Sequence, residues 1–403
     1  MTVTMELPDA FWFQEGPGVR NWQFTNTGIK LLNVANITKN GEIDLNRTAR
    51  CLSEQEVKNK YTHFLVDAGD LVIASSGISF EKDGLLRTRG AFVEKRHLPL
   101  CMNTSTIRFK AKAGLSDLNY LRYWLDSHEF RGQITRLVTG SAQQNFGPSH
   151  LKSMHITLPP FEKQTCIVRR LDKAERLCRT RRYALELTDT LLLAAFLELF
   201  GDPVQNTKGW PVPVVEEAGD VQLGRQRAPK YQTGKFRKPY IRVANVYENE
   251  IDLSDLLYMD FDASDYAAYM LKYGDVLLNE GQSTELVGRP AMWREELPGC
   301  CFQNTLLRFQ ANRKMCEPTY ALWLFIRYLH AGEFAKLSAK TSNVAHLGAY
   351  RLAQMKFPLP PLPLQQKFAA LVERVERLRA VQREALRQAE HLYATLLNRA
   401  FSG

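Results

Sequence analysis

LPPFEKQTCIVRRLDKAERLCRTRRYALELTDTLLLAAFLELF (158–200) and LPPLPLQQKFAALVERVERLRAVQREALRQAEHLYATLLNRAF (359–401) are two passages of one pattern. Each opens on a proline pair. Proline has no backbone donor and restrains the residue before it, so it makes a sharp stop ahead of a helix. Beyond that stop no Gly or Pro interrupts Gln164–Phe200 or Gln365–Phe401. In the first passage a stripe, apolar but for Thr188, runs Ile167, Leu171, Ala174, Leu177, Leu185, Thr188, Leu192, Ala195. In the second it runs Phe368, Val372, Val375, Leu378, Leu386, Ala389, Tyr393, Leu396, and one offset, 201, maps all eight pairs. Steps of three and four with charged faces between them predict amphipathic helices that need a partner. Each spans roughly 36 residues, about 54 Å at 1.5 Å per residue, and helices within compact domains average nearer a third of that. The simplest partner for each helix is the other. An antiparallel pair buries both stripes, with Ile167, Leu171, Leu185 and Leu192 on one side and Phe368, Val372, Leu386, Tyr393 and Leu396 on the other. The plain alternative is that each helix packs only on its own globular part.

The duplication extends outward from the helices. LLNVANITKNGEIDL (31–45) resembles YIRVANVYENEIDL (240–253), and AGDLVIASSG (68–77) resembles YGDVLLNEGQ (273–282). CMNTSTIRFKA (101–111) resembles CFQNTLLRFQA (301–311), and the segment 127–164 resembles 331–366. The order is the same in both halves and the offset drifts only between 209 and 200, which chance matches would not do. The chain is therefore two copies of one unit, each a globular part followed by a helix. Short apolar or alternating runs such as Ile29–Val34, Asp70–Ala74 and Leu306–Phe309 predict strands, and Asp117–Leu125 and Tyr320–Leu329 predict helices. The fold class expected is α+β. It comprises two tandem globular α/β domains, 1–158 and 201–359, and two long helices, 159–200 and 360–403, packed as an antiparallel coiled coil.

Of 403 residues, 45% are apolar and 24% charged, which is ordinary globular usage and excludes a wholly disordered chain, a collagen or a small disulfide scaffold. Lys plus Arg number 53 against 43 Asp plus Glu, a net charge of +10 that favours polyanionic partners. Seven cysteines form no CxxC and no Cys/His cluster, which fits reduced thiols and no structural zinc. The start carries Glu6 and Asp9 where a signal peptide needs a basic and then an apolar stretch. The longest apolar run, Leu191–Phe200, contains Glu198 and is about half a membrane span. A cytoplasmic protein with no membrane partner is expected.

Motifs for catalysis are missing from the sequence. No GxGxxG holds a nucleotide, no Walker loop precedes Thr233-Gly234-Lys235, and no HExxH or GxSxG occurs. LPPF (158–161) lacks the Asn that a base methyltransferase tetrapeptide carries, and its repeat reads LPPL. Together these absences favour a binding protein over an enzyme.

Cations do lie on segments rich in Gly and Asn, where they suit phosphates. They are Arg87 and Arg89; Arg225, Arg227, Lys230, Lys235, Arg237 and Lys238; and Arg289. Any one of them alone could be a solvated surface charge. The run Arg225–Lys238 stands out because its fourteen residues hold six cations and no acid. Base reading needs paired donors and acceptors, and the loop with Ser141, Gln143, Gln144 and Asn145 supplies them. Its counterpart carries Ser342 and Asn343. Capping of the loop's own backbone is the competing reading.

These features together resemble the specificity (S) subunit of Type I restriction-modification systems. The residues that carry the resemblance are the twin units, the VANI and VANV segments, taken as strands, with Ile-Asp-Leu after them, and the Gly-Asp pairs at 69–70 and 274–275. The proline knots ahead of Gln164 and Gln365, the loop 140–146 and the terminal helices add to it. The resemblance implies two target recognition domains, each reading one half of a bipartite double-stranded DNA site. It implies helices that set the gap of unread bases and dock two modification (methyltransferase) subunits. Restriction (endonuclease/translocase) subunits would complete the complex. No cofactor is expected in this chain, S-adenosylmethionine and ATP belonging to the partner subunits, and no catalysis is expected of it alone. A Type IIB-like system uses similar subunits; a free-standing DNA-modifying enzyme and a coiled-coil adaptor are the readings from other classes. One departure stands out: Gln143 and Asn145 face Val344 and His346 across the repeat, so the two domains are expected to read different half-sites.

Overall fold

The computed structural model describes residues 2–38, 40–81, 83–138, 145–340 and 344–401, apart from the side chains of Asp189, Lys230 and Lys340. The chain divides into two compact units, Met1–Arg182 with Glu384–Gly403, and Tyr183–Arg383. Each unit is built on a four-stranded antiparallel sheet. In the first the order is Phe11–Glu15, Thr106–Ala111, Leu71–Ala74, Gly90–Phe92. In the second it is Gly219–Leu223, Leu306–Ala311, Val276–Asn279, Pro290–Met292. The register repeats as well: Ile107 faces Glu15 and Ile73, and Leu307 faces Leu223 and Leu278.

The strands Leu71–Ala74 and Val276–Asn279 are buried along their whole length, which explains their unbroken apolar sequence. Alternate side chains serve two cores. Leu71 and Ile73 join the helix Leu118–Asp126 through Tyr120, Leu121 and Trp124. Val72 and Ala74 face a second layer with Leu32, Leu100 and Met102. That layer is a small sheet in which Ile29–Leu32 pairs antiparallel with Cys51–Leu52 and parallel with Leu100–Met102. The second unit repeats it with Arg237–Ile241 between Leu257–Asp260 and Cys301–Phe302. Gly16 and Gly224 sit where the two layers meet, and a Cβ at either would collide with the carbonyl oxygen of Asn103 or Gln303.

The Val-Ala-Asn segments differ from the strands expected of them. Val34–Asn36 and Val243–Asn245 are single 3₁₀ turns. The cause is the asparagine. Asn36 accepts from the backbone N–H of Asn33 at 2.9 Å and donates to the Asp44 carbonyl at 2.9 Å. Asn245 accepts from Arg242 N–H at 3.0 Å and donates to the Asp252 carbonyl at 2.9 Å. Both are buried, and their side chains complete a turn that a ladder would have broken.

The long helices are Phe161–Phe200 and Leu362–Phe401, and each contributes one half to each unit. Their starts are tied down alike. Gln164 is fully buried, accepts from Asp117 N–H at 3.0 Å and donates to the carbonyls of Leu115 and Pro159 at 2.8 and 2.9 Å. Gln365 does the same with Glu317 at 2.8 Å, Met315 at 3.1 Å and Pro360 at 2.7 Å. Within the first unit Arg182 meets Glu390 at 2.6 Å while Leu171 shares a core with Leu397 and Phe401, so the helix segments run antiparallel. Within the second, Phe368 lies against Phe196 and Phe200 at ring separations of 5.5 Å, again with a helix start beside a helix end. Of the stripe residues, Leu171, Leu192, Phe368 and Val372 are buried and Ile167, Leu185, Leu386, Tyr393 and Leu396 half-buried, but Leu177 and Leu378 are exposed, so the stripes are not buried along their whole length. No helix among the described residues is long and apolar enough to cross a membrane.

Candidate nucleic-acid interface

The cationic run of the second unit folds into a turn and a strand with aromatic rings among the cations. The turn Thr233–Phe236 is organised by one carboxylate. Asp260 accepts from the Thr233 hydroxyl at 2.7 Å, from Gly234 N–H at 2.9 Å and from Phe236 N–H at 3.0 Å. Gly234 takes φ +82°, a left-handed conformation that suits glycine. The Thr233 hydroxyl, followed by the two backbone donors, holds the Asp260 carboxyl below its ordinary range. From this turn Lys235 and Phe236 project into solvent. Along the strand that follows, Arg237 lies 4.6 Å over the ring of Tyr258, and the Lys238 ammonium lies 4.6 Å over Tyr266. Phe236 and Tyr258 are about half exposed, at 53% and 48%. An exposed cation stacked on an exposed ring keeps its charge for phosphate and offers a flat face to a sugar or base.

Arg225 departs from the expectation of an open loop cation. It is 7% exposed, pairs with Asp265, and lies 3.9 Å over Tyr231 and 5.5 Å over Phe261. Its charge is taken up inside the fold, so it supports the cationic strip and does not belong to it. Arg227 is exposed beside the Gln232 amide. The Lys230 side chain lies outside the described residues. Arg289 is half-buried, 4.8 Å over Tyr247, and burial lowers its proton affinity.

In the first unit Arg87 is exposed and pairs with Asp126 at 3.3 Å, while Arg89 is half-buried and donates to the Ile37 carbonyl at 3.3 Å. Ser141, Gln143, Gln144, Ser342 and Asn343 lie outside the described residues. The chain after each of those loops is anchored identically. Phe146 N–H donates to the Ser75 carbonyl at 2.9 Å, and Leu347 N–H donates to that of Glu280 at 2.8 Å. Just before each anchor the units diverge. Asn145 accepts from Gly77 N–H at 3.3 Å, whereas His346 Nδ1 lies 3.1 Å from a Glu280 carboxylate oxygen.

The structure also shows residues that the sequence reading passed over. Arg108 and Asp70 form a buried ion pair at 3.6 Å, repeated by Arg308 and Asp275 at 3.7 Å. Arg108 also donates to Gln14 and to the carbonyls of His63 and Leu65. Arg308 bonds Gln222 and the carbonyls of Ala268 and Met270. These pairs give the Gly-Asp motifs a structural role in joining sheet to loop. Phe236, Tyr258 and Tyr266 were likewise missed; the alternation Lys235-Phe236-Arg237 was the available signal.

Among the described residues no group of three or more His, Cys, Asp or Glu is placed to hold a metal ion. Burial pushes the thiols of Cys101, Cys300, Cys301 and Cys316 up to about 12, so they stay protonated near neutrality.

Residues 24–186 match the family described as Type I restriction modification DNA specificity domain. Over 150 residues the chain is 27% identical to a putative type I restriction enzyme MjaX specificity subunit of Methanocaldococcus jannaschii, which spans 37% of this chain and 35% of that protein. The crystal structure of a Type I restriction-modification S subunit from M. genitalium superposes with a TM-score of 0.56 at 14% identity, over 100% of this chain and 96% of that one. A chain solved in work on complex assembly and conformational transition of the type I R-M system superposes with a TM-score of 0.59 at 18% identity, over 99% and 97%. In sequence over residues 24–186, and in fold over both units, the chain resembles the specificity subunits of Type I restriction-modification systems.

Proposed function

We propose that this chain is the DNA specificity subunit of a Type I restriction-modification system. Each unit reads one half of a bipartite double-stranded site, and the paired helices set the gap of unread bases and dock two methyltransferase subunits. The chain itself catalyses nothing; S-adenosylmethionine and ATP are bound by the modification and restriction subunits. The protein works in the cytoplasm.

The observation that carries this reading is duplication with divergence. Two units share sheet order, register and loop anchors, yet present different side chains at the loop ends, Asn145 against His346. One scaffold with two different surfaces is what reading two unlike half-sites requires. Arg237 and Lys238 over their rings, with the exposed Lys235 ahead of them, supply phosphate contacts.

The test is a methylome. The chain is co-expressed with its methyltransferase subunit in an unmethylated host, with each protein alone as control, and modified bases are mapped. A split motif that needs both proteins is expected. Methylation independent of this chain, or a continuous motif produced by it alone, would overturn the reading.

A further inference from the structure

The first unit holds a cleft of about 420 Å³ where the start of Phe161–Phe200 meets the end of Leu362–Phe401. Its floor is apolar, made by Tyr120, Ile167, Leu396 and Phe401, and its rim carries Lys163, Arg170 and Arg399. Among the described residues no acid lines it, and none of the three cationic side chains forms an ion pair or hydrogen bond. All three side chains are exposed, so the apolar hollow lies within a rim of solvent-facing cations.

The second unit shows what this place looks like when it is closed. Adding 201 to Lys163, Ile167 and Arg170 gives Leu364, Phe368 and Leu371; subtracting 201 from Leu397 and Arg399 gives Phe196 and Glu198. There the Phe368 ring stands edge-on to Phe196 and Phe200 at 5.5 Å and to Trp323 at 5.8 Å, fully buried, with Leu364 and Leu371 packed against the same core. In the first unit the two phenylalanines become Ile167 and Leu397, and Phe401 keeps one ring contact, with Tyr120 at 5.0 Å. At the cleft Ile167 stands where the second unit has the larger Phe368, and Lys163, Arg170 and Arg399 stand where it has Leu364, Leu371 and Glu198. Poor packing alone would explain the hollow, but it would not explain the cations. A solvated surface would explain the cations, but it would not explain the hollow.

We propose that this cleft binds a small anion with an apolar body, an aromatic or aliphatic phosphate or carboxylate. Its body lies on Tyr120, Ile167, Leu396 and Phe401, and its charge lies among Lys163, Arg170 and Arg399. The volume falls within the range of small-ligand pockets. An anion there gains charge-assisted hydrogen bonds, and its body gains the burial that Phe368 has in the other unit. The cleft shares no residue with the cationic strip, so its ligand does not depend on DNA binding.

The test uses calorimetric titration of the full chain with 1-naphthyl phosphate, with 1-naphthol and inorganic phosphate as controls. One saturable site is expected, binding the probe about ten-fold or more tightly than either control. Two variants install the residues that the second unit already carries. Ile167→Phe fills the hollow and is expected to abolish binding with the cations intact. Lys163→Leu with Arg170→Leu keeps the hollow and is expected to weaken binding about ten-fold or more. Absence of a saturable site, phosphate binding as tight as that of the probe, or binding unchanged in the variants overturns the proposal. If Ile167→Phe lowers the melting temperature, the leucine variant alone decides.

Discussion

Arg225 and Arg237 come from one cationic run and end in different surroundings. Arg225 is enclosed by Tyr231, Phe261 and Asp265, whereas Arg237 lies on the exposed face of Tyr258. Replacing Lys235 and Arg237 together by Ala should therefore weaken DNA binding across all sequences and make the log–log salt slope shallower by about 2. Fluorescence anisotropy of the complex with methyltransferase at several salt concentrations measures both. Asp260 gives a pH dependence. Its folded carboxyl is held below the ordinary aspartate range, so the order it lends the turn is complete above that range and is lost as pH falls through the lower, folded value. Protection of the Gly234 and Phe236 amides, taken against their intrinsic exchange at each pH, should thus fall only in acid, and Asp260→Asn should lower it at every pH.

At the scale of elements, the glutamine ties decide where each long helix begins. Gln365→Leu leaves the Glu317 N–H and the Met315 and Pro360 carbonyls without partners in a buried place. A loss of about 2 to 3 kcal/mol is expected, read as a lower urea midpoint with the slope unchanged. The helices and the repeat were legible because both leave long-range marks in the sequence, the steps of three and four and the collinear offset. The strands Leu71–Ala74 and Leu306–Ala311 were legible from apolar runs. Sheet order was not, because Phe11–Glu15 finds Thr106–Ala111 across a long stretch of chain and no local pattern encodes that pairing. The Val-Ala-Asn turns were misread for a related reason: an apolar pair before Asn looks extended until the carbonyls that the Asn bonds are known. Arg225 failed likewise. Its burial depends on Phe261, just past the end of another strand, and on Asp265, from a helix, so a run of cations could not show which member turns inward.

For the whole molecule, the proposed measuring role makes helix length a design variable. Inserting one heptad in each long helix at matched positions adds about 10 Å, near three base pairs of duplex, and keeps the stripes in phase. The methylated motif should keep both half-sites and gain about three unread bases. An unchanged gap would end the measuring role while leaving recognition intact.

The division of each helix between units has a consequence for biosynthesis. The core of the first unit is closed by Leu397 and Phe401, which leave the ribosome after the whole of the second unit. At roughly 5 to 20 residues per second, the first unit waits for tens of seconds with that side of its core open while the second unit is made. The second unit has all its parts, Tyr183–Arg383, in one continuous stretch and can close as it emerges. Order of synthesis and order of completion are therefore reversed. A chain stopped after Arg383 should keep a protease-resistant second unit and lose the first, and limited trypsin digestion of arrested nascent chains would show it.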